Sequence, residues 1–170
     1  MRVLVTGGTG RIGGNLVNAL INRGYDVRVF ALPGDKASEK VEKMGAEVVE
    51  GDLRRLDDCI IAVRGMDAIY HLGAYLPTPL DVSFYTRSKA EKTRILFDVN
   101  VNGTFNMLEA TVLECRNCER FIFASTDATY PSSDPRDFPI DENTPQRPVG
   151  MYAISKLMGE VMVRGYQREY

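Results

Sequence analysis

Long apolar runs and an excess of one charge sign are both missing from this sequence. No stretch approaches the roughly 20 apolar residues that span a bilayer, and the first strand-like run begins at Val3, which leaves no room for a signal peptide. The 21 Lys and Arg residues balance 23 Asp and Glu, without a block of like charges. We therefore expect a cytoplasmic protein that binds neither nucleic acid nor a membrane.

Cysteine and histidine are also scarce. Cys59, Cys115 and Cys118 are an odd set, which disfavours a disulfide framework. Cys115 and Cys118 have the spacing of a zinc or redox pair. However, a zinc site needs about four ligands, and redox cysteines usually lie where a helix begins, whereas these follow one. We predict no metal site, and a packing or hydrogen-bonding role for the single histidine, His71.

The first fourteen residues organise the rest of the chain. Val3, Leu4 and Val5 have the uninterrupted apolar character of a strand buried on both faces. Apolar residues then recur at helical spacing, and these are Ile12, Leu16, Val17, Leu20 and Ile21. Between strand and helix lie Gly7, for a tight turn, Gly10, for approach to a pyrophosphate, and Gly13, for close packing. The pattern favours a phosphate-binding turn, although three glycines in a turn also suit a purely structural role.

Strands and helices alternate along the whole sequence. Strands are predicted at 26–32, 46–51, 67–72 and 120–125, and helices at 36–44, 57–63, about 97–114 and 151–168. A long polar connection with Pro77 and Pro79 precedes the third of these helices, whose apolar side is predicted to be Val101, Phe105, Leu108 and Val112. The proline-rich stretch 131–148 is predicted to be a loop. This alternation predicts an α/β fold with a doubly wound parallel sheet, Rossmann-like, in one domain over residues 1–170.

Tyr152 and Lys156 are four residues apart in the last predicted helix, so they share one face. An ammonium group beside a phenol stabilises the phenolate, and such a tyrosine can serve as a general acid or base. Two unrelated surface side chains would give the same spacing.

Five motifs in order resemble those of the extended short-chain dehydrogenase/reductase family, the NAD-dependent epimerase/dehydratase group. They are Thr6-Gly-Gly-Thr-Gly-Arg-Ile-Gly13, Gly51-Asp52-Leu53, His71-Leu-Gly-Ala74, Asn100-Val-Asn-Gly-Thr104 and Tyr152-x-x-x-Lys156. The resemblance implies Thr126, Tyr152 and Lys156 as catalytic residues, with Tyr152 as general acid or base. It implies cofactor contacts by Gly7, Gly10, Arg11, Ile12, Gly13, Asp52, Leu53, Leu72, Gly73, Ala74, Asn100, Ser125, Tyr152 and Lys156.

Two departures from the family pattern bear on function. Family dehydratases continue Thr-Asp-Glu, whereas this sequence has Ala128 after Asp127, which disfavours a 4,6-dehydratase; Asp127 itself suits either an acid or a solvated loop carboxylate. Ala31 and Leu32 stand where family members carry the residue that selects NAD or NADP. NAD is favoured only because the epimerase branch commonly uses it, and Arg11 and Lys36 suit either a phosphate contact or a solvated role.

Family members continue for more than a hundred residues, with further strands and a substrate-binding domain that this sequence lacks. The resemblance also implies a homodimer through the helices around 105–114 and 153–164. Met158, Val161 and Met162 are candidates for an apolar stripe there, or for packing on the sheet.

Three functions stay open. They are a nucleotide-sugar epimerase or oxidoreductase working by hydride transfer, a reductase or dehydrogenase of a steroid-like or flavonoid-like alcohol, and a dinucleotide-binding module without catalysis.

Overall fold

The computed structural model describes residues 1–78, 85–130 and 138–170. The strands are β1 (Arg2–Thr6), β2 (Asp26–Ala31), β3 (Glu47–Glu50), β4 (Ala68–His71) and β5 (Arg120–Phe123). The helices are α1 (Arg11–Ile21), α2 (Ser38–Lys43), α3 (Leu56–Val63), α4 (Lys89–Leu96), α5 (Gly103–Glu114) and α6 (Met151–Glu169). A π-helical segment, Phe97–Asn102, joins α4 to α5, and a short 3₁₀ turn covers Asp127–Thr129.

The sheet is parallel throughout, with strand order β3-β2-β1-β4-β5. The chain winds outward from β1 in one direction to β3, then returns beside β1 with β4 and continues to β5. The predicted doubly wound Rossmann-like sheet is therefore confirmed. The reversal of strand order between β1 and β4 leaves a crevice at the carboxyl edge of the sheet, where folds of this kind bind ligands.

Residues in β1 alternate between two hydrophobic cores, one on each face of the sheet. Val3 and Val5 pack with α1 and α2, whereas Leu4 packs with α3 and α5. Both faces are covered, which explains why the strand has an uninterrupted apolar sequence.

Two predictions about the helices are wrong. The helix expected to begin near Phe97 starts eight residues earlier, at Lys89, where Ser88 and Glu91 form a capping box. Its sequence is so polar that the apolar periodicity does not reveal it. The predicted apolar side of α5 is also wrong in part. Val101 and Leu108 are buried as expected, whereas Phe105 and Val112 are exposed and Met107 and Ala110 are fully buried instead.

Part of the polar connection before α4, including Pro79, and residues 131–137 of the predicted loop 131–148 lie outside the described residues. Within the described ranges, no helix is both long and apolar enough to cross a bilayer.

Candidate active site

A cleft of about 510 Å³ opens at the carboxyl edge of the sheet, where the strand order reverses. Its wall between β1 and β4 consists of Thr6, Gly7, Thr9, Gly10, Leu72, Gly73, Ala74 and Tyr75. The wall formed by the carboxyl end of β2 and by the residues that follow β2 and β3 consists of Phe30, Ala31, Leu32, Asp35, Gly51, Asp52, Leu53 and Arg54. Arg87, Ile95 and Val99 complete the lining. The volume falls within the range of pockets for small organic ligands.

The turn from β1 into α1 requires glycine at two positions. Gly7 has φ +67°, in the left-handed region, and its Cα faces the backbone of Gly73 so closely that a Cβ would come within 2.9 Å of the Gly73 nitrogen. A Cβ on Gly13 would lie 2.1 Å from the Gly7 carbonyl oxygen. The roles predicted for Gly7 in the turn and Gly13 in packing are confirmed by this geometry.

The amino end of α1 offers unpaired backbone donors beside the cleft. The Gly10 amide donates to the Gly7 carbonyl at 3.0 Å, so it is not itself free. No side chain caps the helix, and the amides of Arg11, Ile12 and Gly13 find no acceptor within the described part of the chain. Helix-terminal amides of this kind bind phosphate groups. The Ile12 side chain is 76% exposed and does not join the apolar stripe of α1, because it lies in the first turn, beyond the core.

His71 is held neutral inside the fold. The Thr104 hydroxyl donates to the Asn100 carbonyl at 2.7 Å, so it accepts from His71 Nε2 at 3.1 Å; Nδ1 then accepts from Thr6 Oγ1 at 2.8 Å. Burial lowers the pKa of His71 to about 3, and the positive charge of Lys156 contributes. The prediction of a hydrogen-bonding role is confirmed. A histidine that stays neutral at ordinary pH cannot carry a proton in catalysis.

Asn100, in the π-helical segment, ties the cleft to α6. Its Oδ1 accepts from the Tyr75 amide at 2.7 Å, and its Nδ2 donates to the Tyr75 carbonyl and to Ser155 Oγ, each at 3.0 Å. Ser155 Oγ in turn donates to the Tyr152 carbonyl at 2.7 Å. Both Nδ2 hydrogens and one lone pair of Oδ1 have protein partners, so Asn100 joins the loop at Tyr75 to α6. The cofactor contact that the resemblance implies stays a prediction.

Tyr152 and Thr126 are brought together at the carboxyl end of β5. The Thr126 side chain interacts with the Tyr152 phenol, and Thr126 Oγ1 donates to Asp127 Oδ1 at 3.2 Å. Burial raises the pKa of Tyr152; the Thr126 hydrogen bond opposes this and the Asp127 charge adds to it. The expected lowering of this pKa by Lys156 is therefore wrong for the geometry described here.

Lys156 points into the fold, not toward the phenol. The residue is 3% exposed, and its Nζ lies 4.1 Å from the centroid of the Phe123 ring. Burial lowers the pKa of Lys156 to about 8, and the Glu160 carboxylate partly offsets this. Within the ranges that the structure covers, no carboxylate forms an ion pair with Nζ.

Glu160, one turn beyond Lys156 on α6, connects the loops around Thr126. Its carboxylate accepts from Ser125 Oγ and, at 2.8 Å, from Gln146 Nε2. Gln146 Nε2 also approaches Thr129 Oγ1 at 3.3 Å. Ser125 therefore faces Glu160 in this structure, and not the cleft that would hold a cofactor.

The predicted site residues do not all lie together. Those that line the cleft are Gly7, Gly10, Asp52, Leu53, Leu72, Gly73 and Ala74. Thr126 and Tyr152 come together after β5, whereas Lys156 lies over the Phe123 ring, and Arg11 and Ile12 are exposed at the start of α1. The cleft-lining Asp52 is partly engaged, because its carboxylate binds Arg54, whose hydrogen bond lowers the pKa of Asp52.

Sequence reasoning missed Asp35, Tyr75 and Glu160. Asp35 lines the cleft four residues after the strand end where an acidic residue was sought. Tyr75 follows the His71–Ala74 motif directly, and this position in the sequence could have predicted that it lines the cleft. Its hydroxyl is buried without a hydrogen-bond partner among the described residues.

Comparisons with known proteins agree with this geometry. The model of the NAD dependent epimerase/dehydratase family matches residues 3–170. This chain belongs to that family. It is 33% identical over 172 residues to a putative UDP-glucose 4-epimerase of Methanocaldococcus jannaschii, covering 99% of this chain and 52% of that protein.

Two further similar proteins illustrate the range of relatives. The chain is 36% identical over 128 residues to a 3 beta-hydroxysteroid dehydrogenase/Delta 5-->4-isomerase of Mycobacterium tuberculosis, covering 75% of this chain and 32% of that protein. The crystal structure of a UDP-glucose 4-epimerase of Thermus thermophilus in complex with NAD superposes with a TM-score of 0.82 at 32% identity, covering 100% of this chain and 52% of that one. The chain thus spans about half the length of the epimerases it matches.

Proposed function

We propose that this chain is the dinucleotide-binding part of an NAD-dependent epimerase or oxidoreductase that acts on a nucleotide sugar by hydride transfer. The observation that carries the proposal is the Tyr152–Thr126 hydroxyl pair at the same sheet edge as the glycine-lined cleft. The UDP-glucose 4-epimerases among its relatives support the substrate class.

The residues of the cleft fit a nicotinamide dinucleotide. The unpaired amides at the start of α1 and the absence of a Cβ on Gly7 and Gly10 suit a pyrophosphate. Tyr75, in the same wall of the cleft, has a hydroxyl group without a hydrogen-bond partner among the described residues. When bound, the nicotinamide ring accepts or returns a hydride.

Within this proposal, Tyr152 donates its phenol proton to the substrate oxygen as hydride reaches the substrate carbon, and recovers a proton in the reverse direction. Thr126 Oγ1 holds the substrate oxygen beside the phenol. Ala128 supplies no carboxylate, so 4,6-dehydration is disfavoured.

Asp35 favours NAD over NADP. Its Oδ1 accepts from the Ala37 amide at 2.9 Å, which leaves Oδ2 for a ribose hydroxyl, while a 2′-phosphate would meet a negative charge. Titration of the chain with NADH and NADPH, followed by nucleotide fluorescence, should give tighter binding of NADH. Asp35→Asn should reduce that preference by about tenfold or more, because a hydrogen bond to a charged group is lost. A preference for NADPH in the unchanged chain would contradict this assignment.

The catalytic assignment is tested by Tyr152→Phe in the enzyme that contains this chain. Interconversion of UDP-glucose and UDP-galactose should fall by about 10²-fold or more, while NADH affinity stays the same. Tyr170→Phe, which changes an exposed tyrosine of the same stretch, is the matched control. Turnover that survives Tyr152→Phe would contradict the mechanism.

The similarity to the steroid dehydrogenase favours one alternative, oxidation of a non-sugar alcohol with the same residues. Reduction of NAD by a 3β-hydroxysteroid, but not turnover of UDP-sugars, would select it. Binding of NADH without turnover of either substrate would select the non-catalytic module.

We also propose that the protein is a cytoplasmic homodimer and that residues 1–170 form one domain. Met158 and Val161 are exposed on α6, so the proposed stripe does not face the sheet.

A further inference from the structure

The turn between α5 and β5 places two cysteines side by side. Cys115 ends α5, and the Cys118 amide donates to the Cys115 carbonyl at 2.9 Å. A turn closed by this bond keeps its first and fourth Cα atoms within about 7 Å of each other. That separation overlaps the range of about 4.4–6.8 Å that a disulfide requires.

The two thiols differ in accessibility and in hydrogen-bond partners. Cys115 Sγ donates to the Met66 carbonyl oxygen at 3.0 Å, and Cys118 Sγ donates to the Arg120 carbonyl oxygen at 3.5 Å. Cys115 is 5% exposed, whereas Cys118 is partly exposed beside the start of β5. The interaction of the two thiols with each other lowers the pKa of Cys118 and raises that of Cys115. Cys118 is therefore the thiol that solvent reaches and the one that ionises first.

We propose that Cys115 and Cys118 form a thiol–disulfide exchange pair whose partner is a small disulfide such as oxidised glutathione. The Cys118 thiolate attacks one sulfur of the small disulfide and expels a thiolate, forming a mixed disulfide. Cys115 then attacks the Cys118 sulfur, the second small thiolate leaves, and the Cys115 proton goes to it. One small disulfide is reduced to two thiols while the two cysteines are oxidised to one disulfide.

Cys59, in contrast, is expected to be unreactive toward disulfides. It is fully buried within the α3 core, its Sγ lies 3.5 Å from the Leu53 carbonyl oxygen, and burial raises the pKa of its thiol to about 12. The pair 115–118 lies at the amino end of β5, at the opposite edge of the sheet from the cleft. The exchange reaction is therefore independent of the function proposed above.

The test is redox equilibration of the reduced 170-residue chain. The chain is incubated with a series of ratios of oxidised to reduced glutathione, quenched in acid, denatured and alkylated. Cleavage after Glu114 and Glu119 releases the peptide 115–119, which contains both cysteines. We expect this peptide to become 2 Da lighter and to lose both alkyl groups as the ratio rises, while Cys59 is alkylated throughout.

Single variants separate the two roles. Cys115→Ser should stop at a glutathione adduct on Cys118, and Cys118→Ser should react as slowly as Cys59. Protection of Cys59 from alkylation before denaturation shows that each variant is folded. The proposal is overturned if the wild-type peptide keeps two free thiols in oxidised glutathione alone, or if the wild-type chain, like Cys115→Ser, ends as the mixed disulfide.

Discussion

At the scale of single residues, Glu160 has an influence that its position in the sequence does not suggest. Its carboxylate binds Ser125 and Gln146, and its charge favours the ammonium form of the buried Lys156. A glutamate four residues after a lysine is typical of a solvated helix surface. Only the structure shows that this face of α6 turns inward, toward β5 and its loop.

Glu160→Gln should lower the pKa of Lys156 below its present value of about 8, because the amide keeps hydrogen-bonding capacity but removes the charge. The Cε resonance of Lys156 in chain labelled with ¹³C-lysine, followed against pH, measures this directly. Glu169→Gln, an exposed change on the same helix, should leave that resonance unaffected. Glu160→Ala should in addition lower the free energy of unfolding by about 1–3 kcal/mol, since the hydrogen bonds from Ser125 and Gln146 to the carboxylate are lost. An unchanged or higher Lys156 pKa in Glu160→Gln would contradict the role assigned to Glu160.

At the scale of elements, the strands were predictable and the helix pair around the π-helical segment was not. Burial on both faces gives β1 and β4 largely apolar sequences, whereas β2 also carries the buried Arg28, which pairs with Glu47. Helix α4 is almost entirely polar, so its existence depends on its cap and on its continuation into the buried segment that carries Asn100. The cleft was predictable from glycine spacing and strand ends, whereas Asp35 was not, because its place in the lining depends on how the loop after β2 folds back.

Neighbouring glycines in α1 provide a matched pair of substitutions. Gly13→Ala places a methyl group 2.1 Å from the Gly7 oxygen and should cost about 2 kcal/mol or more, with weaker NADH binding, since the turn must shift. In Gly14→Ala the nearest atom lies 3.6 Å away, so the helix should gain about 0.5–1 kcal/mol. Urea unfolding of both variants checks the contrast. Equal stability of the two would show that the β1–α1 contact is looser than described.

At the scale of the whole molecule, His71 links the sheet to the helical layer and makes folding depend on pH. The unfolded chain takes up a proton below about pH 6.5, while the folded chain keeps His71 neutral down to about pH 3. The folded-state pKa is depressed, so stability is complete above pH 6.5 and falls as pH decreases toward 3.

We expect the free energy of unfolding to decrease by about 1.4 kcal/mol for each pH unit below about 6, before the carboxylates titrate. Urea unfolding at several pH values measures the slope. Because the chain has one histidine, its Hε1 proton resonance identifies the group without a variant. That resonance should not shift between about pH 8 and pH 5; a titration midpoint near 6.5 would contradict the buried network.

The Asn100 side chain protects the Tyr75 amide from hydrogen–deuterium exchange with solvent. The Tyr75 amide lies in a loop, where deuterium normally replaces hydrogen within seconds to minutes, yet it donates to the side chain of a residue that is 2% exposed. Its proton can leave only when the π-helical segment separates from the loop, and Ser155 makes α6 part of that opening. Deuterium uptake at this single amide therefore measures how often the two halves of the site come apart.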